Sequence, residues 1–171
     1  NIIIPTIISN VLTVGSTNAL NDIFDYNIDK LVFPNRPLPS GKISIYNTIL
    51  FVIVLNLISL IVSYSHTFYY NTLSMLIGII YTPILKYYHF ITKNFSCALV
   101  GCIFYLSAIE KIHNISYFTL IWLFTDSINY EMYKDIRDIN ADKKFGCITF
   151  PVKYGIQNTL IYIWVNNIIS S

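Results

Sequence analysis

A chain of 171 residues that is 54% hydrophobic and 12% charged, with a formal net charge of +2 and a mean hydropathy of +0.56, has the length of one domain. Water-soluble domains are about 25% charged, so the composition excludes a globule exposed to water, and the small net charge gives no support for a nucleic-acid partner. It predicts an all-α bundle of membrane-spanning helices in a lipid bilayer.

Six apolar segments follow in chain order, at residues 2–20, 43–64, 67–82, 96–109, 116–133 and 155–169. A hydrocarbon core takes about 20 helical residues to cross. The first, second and fifth segments reach that length; the others need tilt or help from neighbours. Short pieces such as FVIVL also read as strand, but segment length and the lack of alternating turn signals favour helix. In lipid only helices and closed barrels satisfy their own backbone. No basic stretch followed by a small-residue cleavage site precedes the first segment. Starting at Asn1 and stopping at Ser171 in an apolar run, the chain reads as one domain incomplete at both ends.

Long polar connections at 21–42, 83–95 and 134–154 alternate with short ones near Ser63–Thr67 and Glu110–Ser116. Counting crossings puts all three long connections on one membrane face. The cations agree: Lys30, Arg36, Lys42, Lys86, Lys93, Lys134, Arg137, Lys143, Lys144 and Lys153 fall there, and only Lys111 falls opposite. An excess of Lys and Arg marks the cytoplasmic side.

Two of these connections open on the same acidic pattern. NDIFDYNID carries Asp22, Asp25 and Asp29, and YKDIRDINADKKFG carries Asp135, Asp138 and Asp142, both spaced D-x-x-D-x-x-x-D. Six of the nine acidic residues lie in these two stretches. On a helix the spacing places three carboxylates on one face, where they repel each other, and proximity to lipid raises the cost. Lys134 and Arg137 offset part of the second cluster, whereas nothing comparable flanks the first. A hard divalent cation answers the excess charge. Magnesium takes one or two protein carboxylates and completes its shell with water and substrate phosphates, so the pattern predicts a diphosphate held through magnesium.

The residues around the clusters resemble the UbiA superfamily of intramembrane prenyltransferases. NDIFDYNID with NRPLPSGKIS resembles the family's first signature, and YKDIRDINADKKFG with ITFPVKYG its second. YTPILKYYHFITKN between them resembles its central loop. The resemblance implies a nine-helix bundle around a cavity, of which six segments are present here. It also implies magnesium-dependent transfer of a prenyl group from an allylic diphosphate to a lipophilic acceptor. Carried over by position, Asn21 and Asp25 ligate magnesium, with Asp22 beside them and Asp29 in support. Asp138 and Asp142 do so from the second motif, with Asp135 in support. Lys86, Lys93, Lys134 and Arg137 contact the diphosphate, and Arg36 either joins them or positions its own loop. Tyr81 and Asn94 belong to the central loop and are assigned to substrate.

KDIRDINADKKFG followed by TFP most resembles the archaeal-type branch that makes digeranylgeranylglyceryl phosphate for ether lipids. Branches with aromatic or chlorophyllide acceptors share NRPLPSGKIS. Two rivals stand beside the enzyme reading. A soluble prenyl-diphosphate synthase also uses two aspartate-rich helices but needs far more surface charge, and an ion-handling bundle places its acids at mid-membrane depth.

Most of the 14 Tyr and 11 Phe are read as packing or interfacial anchors. Tyr81 and Tyr133, near the basic face, are candidates for facing a carbocation. Asp126, inside the fifth segment, is read as a helix–helix hydrogen bond or an acceptor-pocket group. His66, His89 and His113 are read as solvated loop residues, and Cys97, Cys102 and Cys147 as small buried hydrophobes. The pattern leaves oligomeric state open.

Overall fold

A computed structural model describes residues 3–63, 66–86, 89–109 and 114–170; Glu110, Lys111 and His113 lie outside this range. Among the described residues the secondary structure is all helical. The elements are α1 (Ile3–Phe24), α2 (Tyr26–Val32), α3 (Ile45–Val62), α4 (His66–Ile80), a π-helical turn (Tyr81–Leu85), α5 (Phe90–Ala108), α6 (Asn114–Phe145), α7 (Phe150–Tyr154) and α8 (Ile156–Ser170).

Local chemistry sets several of these boundaries. Ser44 caps α3 by accepting from the Asn47 amide at 3.1 Å. His89, read from sequence as merely solvated, caps α5 through Nδ1, which accepts from the Ile91 amide at 3.2 Å. Pro151 sits in the first turn of α7, and Gly155 ends that helix at φ 85°.

Among the described residues four helical segments are long and apolar enough to cross a membrane: Ile3–Phe24, Ile45–Val62, Thr67–Leu85 and Phe90–Ala108. Two of them correct the expectation of short third and fourth segments, and the fifth segment, expected to reach spanning length, is not among the four. The π-helical turn carries α4 past Pro83, and α5 starts at Phe90 rather than at residue 96, so helix takes up most of the predicted 83–95 loop. Proline has no amide to donate, and a local widening to π geometry is one way for a helix to continue past it. Likewise α6 runs 32 residues and absorbs the second acidic motif.

The chain divides into two compact units. The first comprises residues 1–83 with 106–108, and the second comprises 84–105 with 109–171.

In the first unit the usual burial pattern is inverted. The buried residues of α1 are Thr6, Ser9, Thr13 and Ser16, while Ile3, Ile4, Ile7, Ile8 and Val11 point outward. Small polar side chains that let helices approach, with apolar ones facing out, are the arrangement of helices packed in lipid. It counts against the soluble synthase.

Thr13 Oγ1 donates to Asn71 Oδ1 at 2.6 Å, and Asn71 Nδ2 donates to Ser59 Oγ at 2.9 Å and Ser63 Oγ at 3.1 Å. Ser59 Oγ donates to the Ser9 carbonyl at 2.9 Å. Gly78 lets α4 close on α1: a Cβ there would lie 2.5 Å from Thr17 Oγ1. These contacts make α1 antiparallel to α3 and parallel to α4, as the crossing count expects within this unit.

The second unit repeats the device between α6 and α8. Asn166 Nδ2 donates to Asn129 Oδ1 at 2.8 Å, and Asn129 Nδ2 donates to Asn167 Oδ1 at 2.7 Å. On the other side of α6, Phe95 meets Phe124 edge-on at 5.3 Å, and Cys102 Sγ donates to the Leu120 carbonyl at 3.6 Å, so α5 and α6 are antiparallel. Asp126 stands exposed on α6, and among the described residues it makes no helix–helix hydrogen bond, contrary to one of its two expected roles. Cys102 is buried, whereas Cys97 and Cys147 are only partly so.

Candidate active site

The first motif straddles the junction of α1 and α2. The helix is interrupted at Asp25, yet the backbone keeps its spacing. Asp25 N donates to the Asn21 carbonyl at 2.9 Å, Asp29 N to the Asp25 carbonyl at 2.8 Å, and Phe33 N to the Asp29 carbonyl at 2.7 Å. The i, i+3, i+7 carboxylates therefore keep a common face.

Asn21 Nδ2 donates to Asp25 Oδ2 at 2.7 Å, and Thr82 Oγ1 donates to Asn21 Oδ1 at 3.3 Å. The motif is thus tied to the π-helical turn that contains Tyr81. Asp25 and Asp29 are both buried.

The expectation that no cation flanks this cluster is corrected. The N-R-P-L-P-S-G segment folds into successive turns that bring Arg36 back onto the motif. Its Nη1 donates to Asp29 Oδ2 at 2.7 Å and lies 3.7 Å from Asp22 Oδ1. The guanidinium also stacks over Phe33, 4.2 Å from the ring centre. Arg36 thus joins its own loop to the first motif.

The second motif lies wholly within α6. Asp135, almost fully buried, pairs with Lys93 of α5, which is itself buried. Arg137 grips Asp138 with two parallel bonds, from Nε at 2.8 Å and Nη2 at 2.6 Å. Asp142 Oδ2 accepts from the buried Thr149 hydroxyl at 3.2 Å, which ties the end of α6 to the start of α7. Burial pushes the Asp142 carboxyl up to about 6, against the pull of Lys93.

Each motif therefore has a buried aspartate paired with a cation from outside the motif, Asp29 with Arg36 and Asp135 with Lys93. Asp138 is gripped by the more exposed Arg137 of its own motif, and Asp25 and Asp142 accept from an amide and a hydroxyl.

The donor chemistry fits a hard divalent ion. Both motifs offer carboxylate and amide oxygens, with no thiol or imidazole among them. Among the described residues no three acids, histidines or cysteines converge closely enough to cage an ion. Magnesium, which retains waters and phosphate oxygens in its shell, suits such a sparse protein set. Asn21, Asp22 and Asp25 are the candidates to hold it from the first motif, and Asp138 and Asp142 from the second.

The remaining predicted residues divide. Lys86 and Tyr81 stand partly exposed at the central connection. Asn94 is buried at 3% exposure, with neither amide atom hydrogen-bonded. Lys134 Nζ donates to Glu131 Oε1 at 2.8 Å. Tyr133 is half-exposed and lines a cleft of about 410 Å³ with Leu160, Ile161, Ile163, Trp164 and Asn167.

Sequence reasoning missed Glu131. It is buried one turn before Asp135, and its Oε2 lies 4.0 Å from Lys93 Nζ. The i−4 spacing from Asp135 was the available signal.

Comparison with known proteins gives this geometry a setting. A chain named digeranylgeranylglyceryl phosphate synthase from Methanosphaera stadtmanae is 32% identical over 163 residues, covering 93% of this chain and 60% of that one. One of the same name from Thermococcus sibiricus is 33% identical over 147 residues, covering 83% and 52%. The chain thus spans little more than half the length of these curated relatives.

A chain solved in a study of the biosynthesis of digeranylgeranylglyceryl phosphate synthase in membranes superposes with TM-score 0.73 at 25% identity, covering 98% of this chain and 61% of its own. A UbiA homolog from Archaeoglobus fulgidus, bound to DMAPP and Mg2+, superposes with TM-score 0.83 at 19% identity, covering 99% and 63%. The latter likeness establishes fold. The UbiA prenyltransferase family model matches residues 1–169, and the chain belongs to that family.

Proposed function

We propose that the chain serves magnesium-dependent prenyl transfer, from an allylic diphosphate to a lipophilic acceptor, at the cytoplasmic face of a membrane. The observation that carries this reading is the repeated acidic motif, with a buried carboxylate paired to a cation in each copy and further oxygen donors beside it. Each motif offers carboxylate and amide oxygens for magnesium that would hold a diphosphate. The relatives named digeranylgeranylglyceryl phosphate synthase support geranylgeranylglyceryl phosphate as acceptor and a geranylgeranyl group as donor.

In the reaction the allylic C–O bond breaks and the diphosphate departs with the electron pair. The acceptor hydroxyl oxygen then bonds to the cationic carbon and releases its proton. Magnesium, when bound, would supply neutralisation of the charge on the leaving oxygens. Asn21 and Asp25 in the first motif, and Asp138 and Asp142 in the second, are the residues that would ligate magnesium. Lys86 adds positive charge where the diphosphate sits, and Lys134 and Arg137, each paired with a neighbouring carboxylate, add less. Apolar helices keep water from trapping the cation, and Tyr81 and Tyr133 offer ring faces to it.

The test is to incubate membranes containing the full-length protein with radiolabelled geranylgeranyl diphosphate and an acceptor panel, with and without magnesium. The expected product is the ether of geranylgeranylglyceryl phosphate. Label on an aromatic or chlorophyllide acceptor alone replaces the acceptor assignment, and no transfer to any acceptor overturns the reading.

A further inference from the structure

We infer that Glu131, outside both acidic motifs, is a positioning residue for the second one: it holds Lys93 against Asp135 and thereby balances the charge beside Asp138 and Asp142. This rests on the magnesium reading above and deepens it.

Glu131 is only 6% exposed and lies on α6 one turn before Asp135. Its Oε1 accepts from Lys134 Nζ at 2.8 Å. Its Oε2 is buried without a hydrogen bond and faces Lys93 Nζ at 4.0 Å. Lys93 reaches over from α5, is 8% exposed, and pairs with Asp135.

The group holds two carboxylates, Glu131 and Asp135, and two ammonium ions, Lys93 and Lys134. It is neutral as a whole, and its central pairs are buried where a charge without a partner is strongly unfavourable. The sequence assigned Lys93 to the diphosphate, but its ammonium is already engaged by two acids. Asp138 and Asp142 follow within two turns on the same helix, each less deeply held. Removing the negative charge of Glu131 leaves a net positive charge beside the carboxylates that must attract a divalent cation. It also frees Lys93 to shift on Asp135. Both effects weaken metal binding before any diphosphate arrives.

The experiment measures Mn2+ binding by electron paramagnetic resonance on the purified full-length protein without substrate. Glu131→Gln is expected to weaken Mn2+ roughly tenfold, with helicity and thermal midpoint retained. In a Lys93→Gln background the same substitution is expected to cause a smaller loss, because the charge effect remains but the route through Lys93 is gone. Glu131→Asp keeps the charge but draws it back by one methylene; the loss there is expected to be about threefold.

Wild-type Mn2+ affinity in Glu131→Gln overturns the inference, as does an equal loss in both backgrounds. Should Glu131→Gln not fold, wild-type affinity in Glu131→Asp overturns it in the same way. If the wild-type protein binds no Mn2+, the magnesium reading falls, and the inference with it. A normal wild-type affinity with an unaffected variant removes the inference alone.

Discussion

The cation paired with Asp29 of the first motif comes from nearby chain, and the one paired with Asp135 of the second comes from another helix. Arg36 stands seven residues beyond Asp29, returned by a series of tight turns, and its side chain is 42% exposed. Lys93 stands 42 residues before Asp135 and is buried with it. The first arrangement is local and half-solvated, so it survives small changes in helix packing. The second exists only when α5 and α6 pack in one register, so packing and the charge balance of the second motif are coupled there.

The sharpest way to break this comparison is to remove a carboxylate on each side. Asp25→Ala and Asp138→Ala are each expected to cut magnesium-dependent turnover to about a thousandth, while the protein still inserts into membranes. An assay of prenyl transfer at saturating magnesium reads this, and retained turnover in either variant withdraws that motif's metal role.

Next come the two steadying cations. Lys93→Met leaves Asp135 buried without its partner, which is expected to cost about 3 kcal/mol or more of stability. Arg36→Met removes a partly exposed pair, for which about 1 kcal/mol is expected. Denaturant or thermal unfolding in detergent measures both, and equal losses erase the contrast between local and tertiary support.

A pH series sharpens the comparison further. The metal-free Asp142 carboxyl is raised to about 6 by burial. Below that pH it is protonated and donates no electron pair to a cation. Magnesium binding therefore competes with that proton, and affinity is expected to fall roughly tenfold from pH 7 to pH 5. The sign for stability is opposite: in the metal-free protein the raised value favours the folded state at low pH, and that contribution fades as pH rises through about 6. Calorimetry in two buffers of different ionisation enthalpy detects the proton released. Asp142→Asn abolishes the pH dependence if the assignment holds.

The smallest expected effect concerns the buried amides that stitch each unit. Asn71→Leu removes the bonds joining α1, α3 and α4, with an expected loss of about 1 kcal/mol. Asn129→Leu does the same between α6 and α8. Thermal unfolding of the two variants compares the units directly.

Much of the candidate motif's geometry was legible before the fold. The D-x-x-D-x-x-x-D spacing needs only helical period to place three carboxylates on one face, and the turns around Asp25 preserve that period despite the interruption. Helix ends were less legible. Residues 83–95 looked like a loop because Pro83, Lys86, His89 and Lys93 are poor companions for lipid. The chain stays helical through most of it because π geometry accommodates the proline and because Lys93 is buried against acids rather than exposed. Glu131 stood one turn from a motif already noticed, yet nothing in its own neighbourhood announced Lys93 as its partner.

Sequence alone determined the membrane environment, the helical class, the repeated acidic motif and its oxygen-donor chemistry, since these depend on composition and on periods of three to seven residues. The tertiary structure decided which cation serves which carboxylate, and why threonine, serine and asparagine occupy the interior while isoleucine faces out. Those outcomes depend on the register between helices distant in sequence. Register is set by close packing and paired polar groups, which no local spacing specifies.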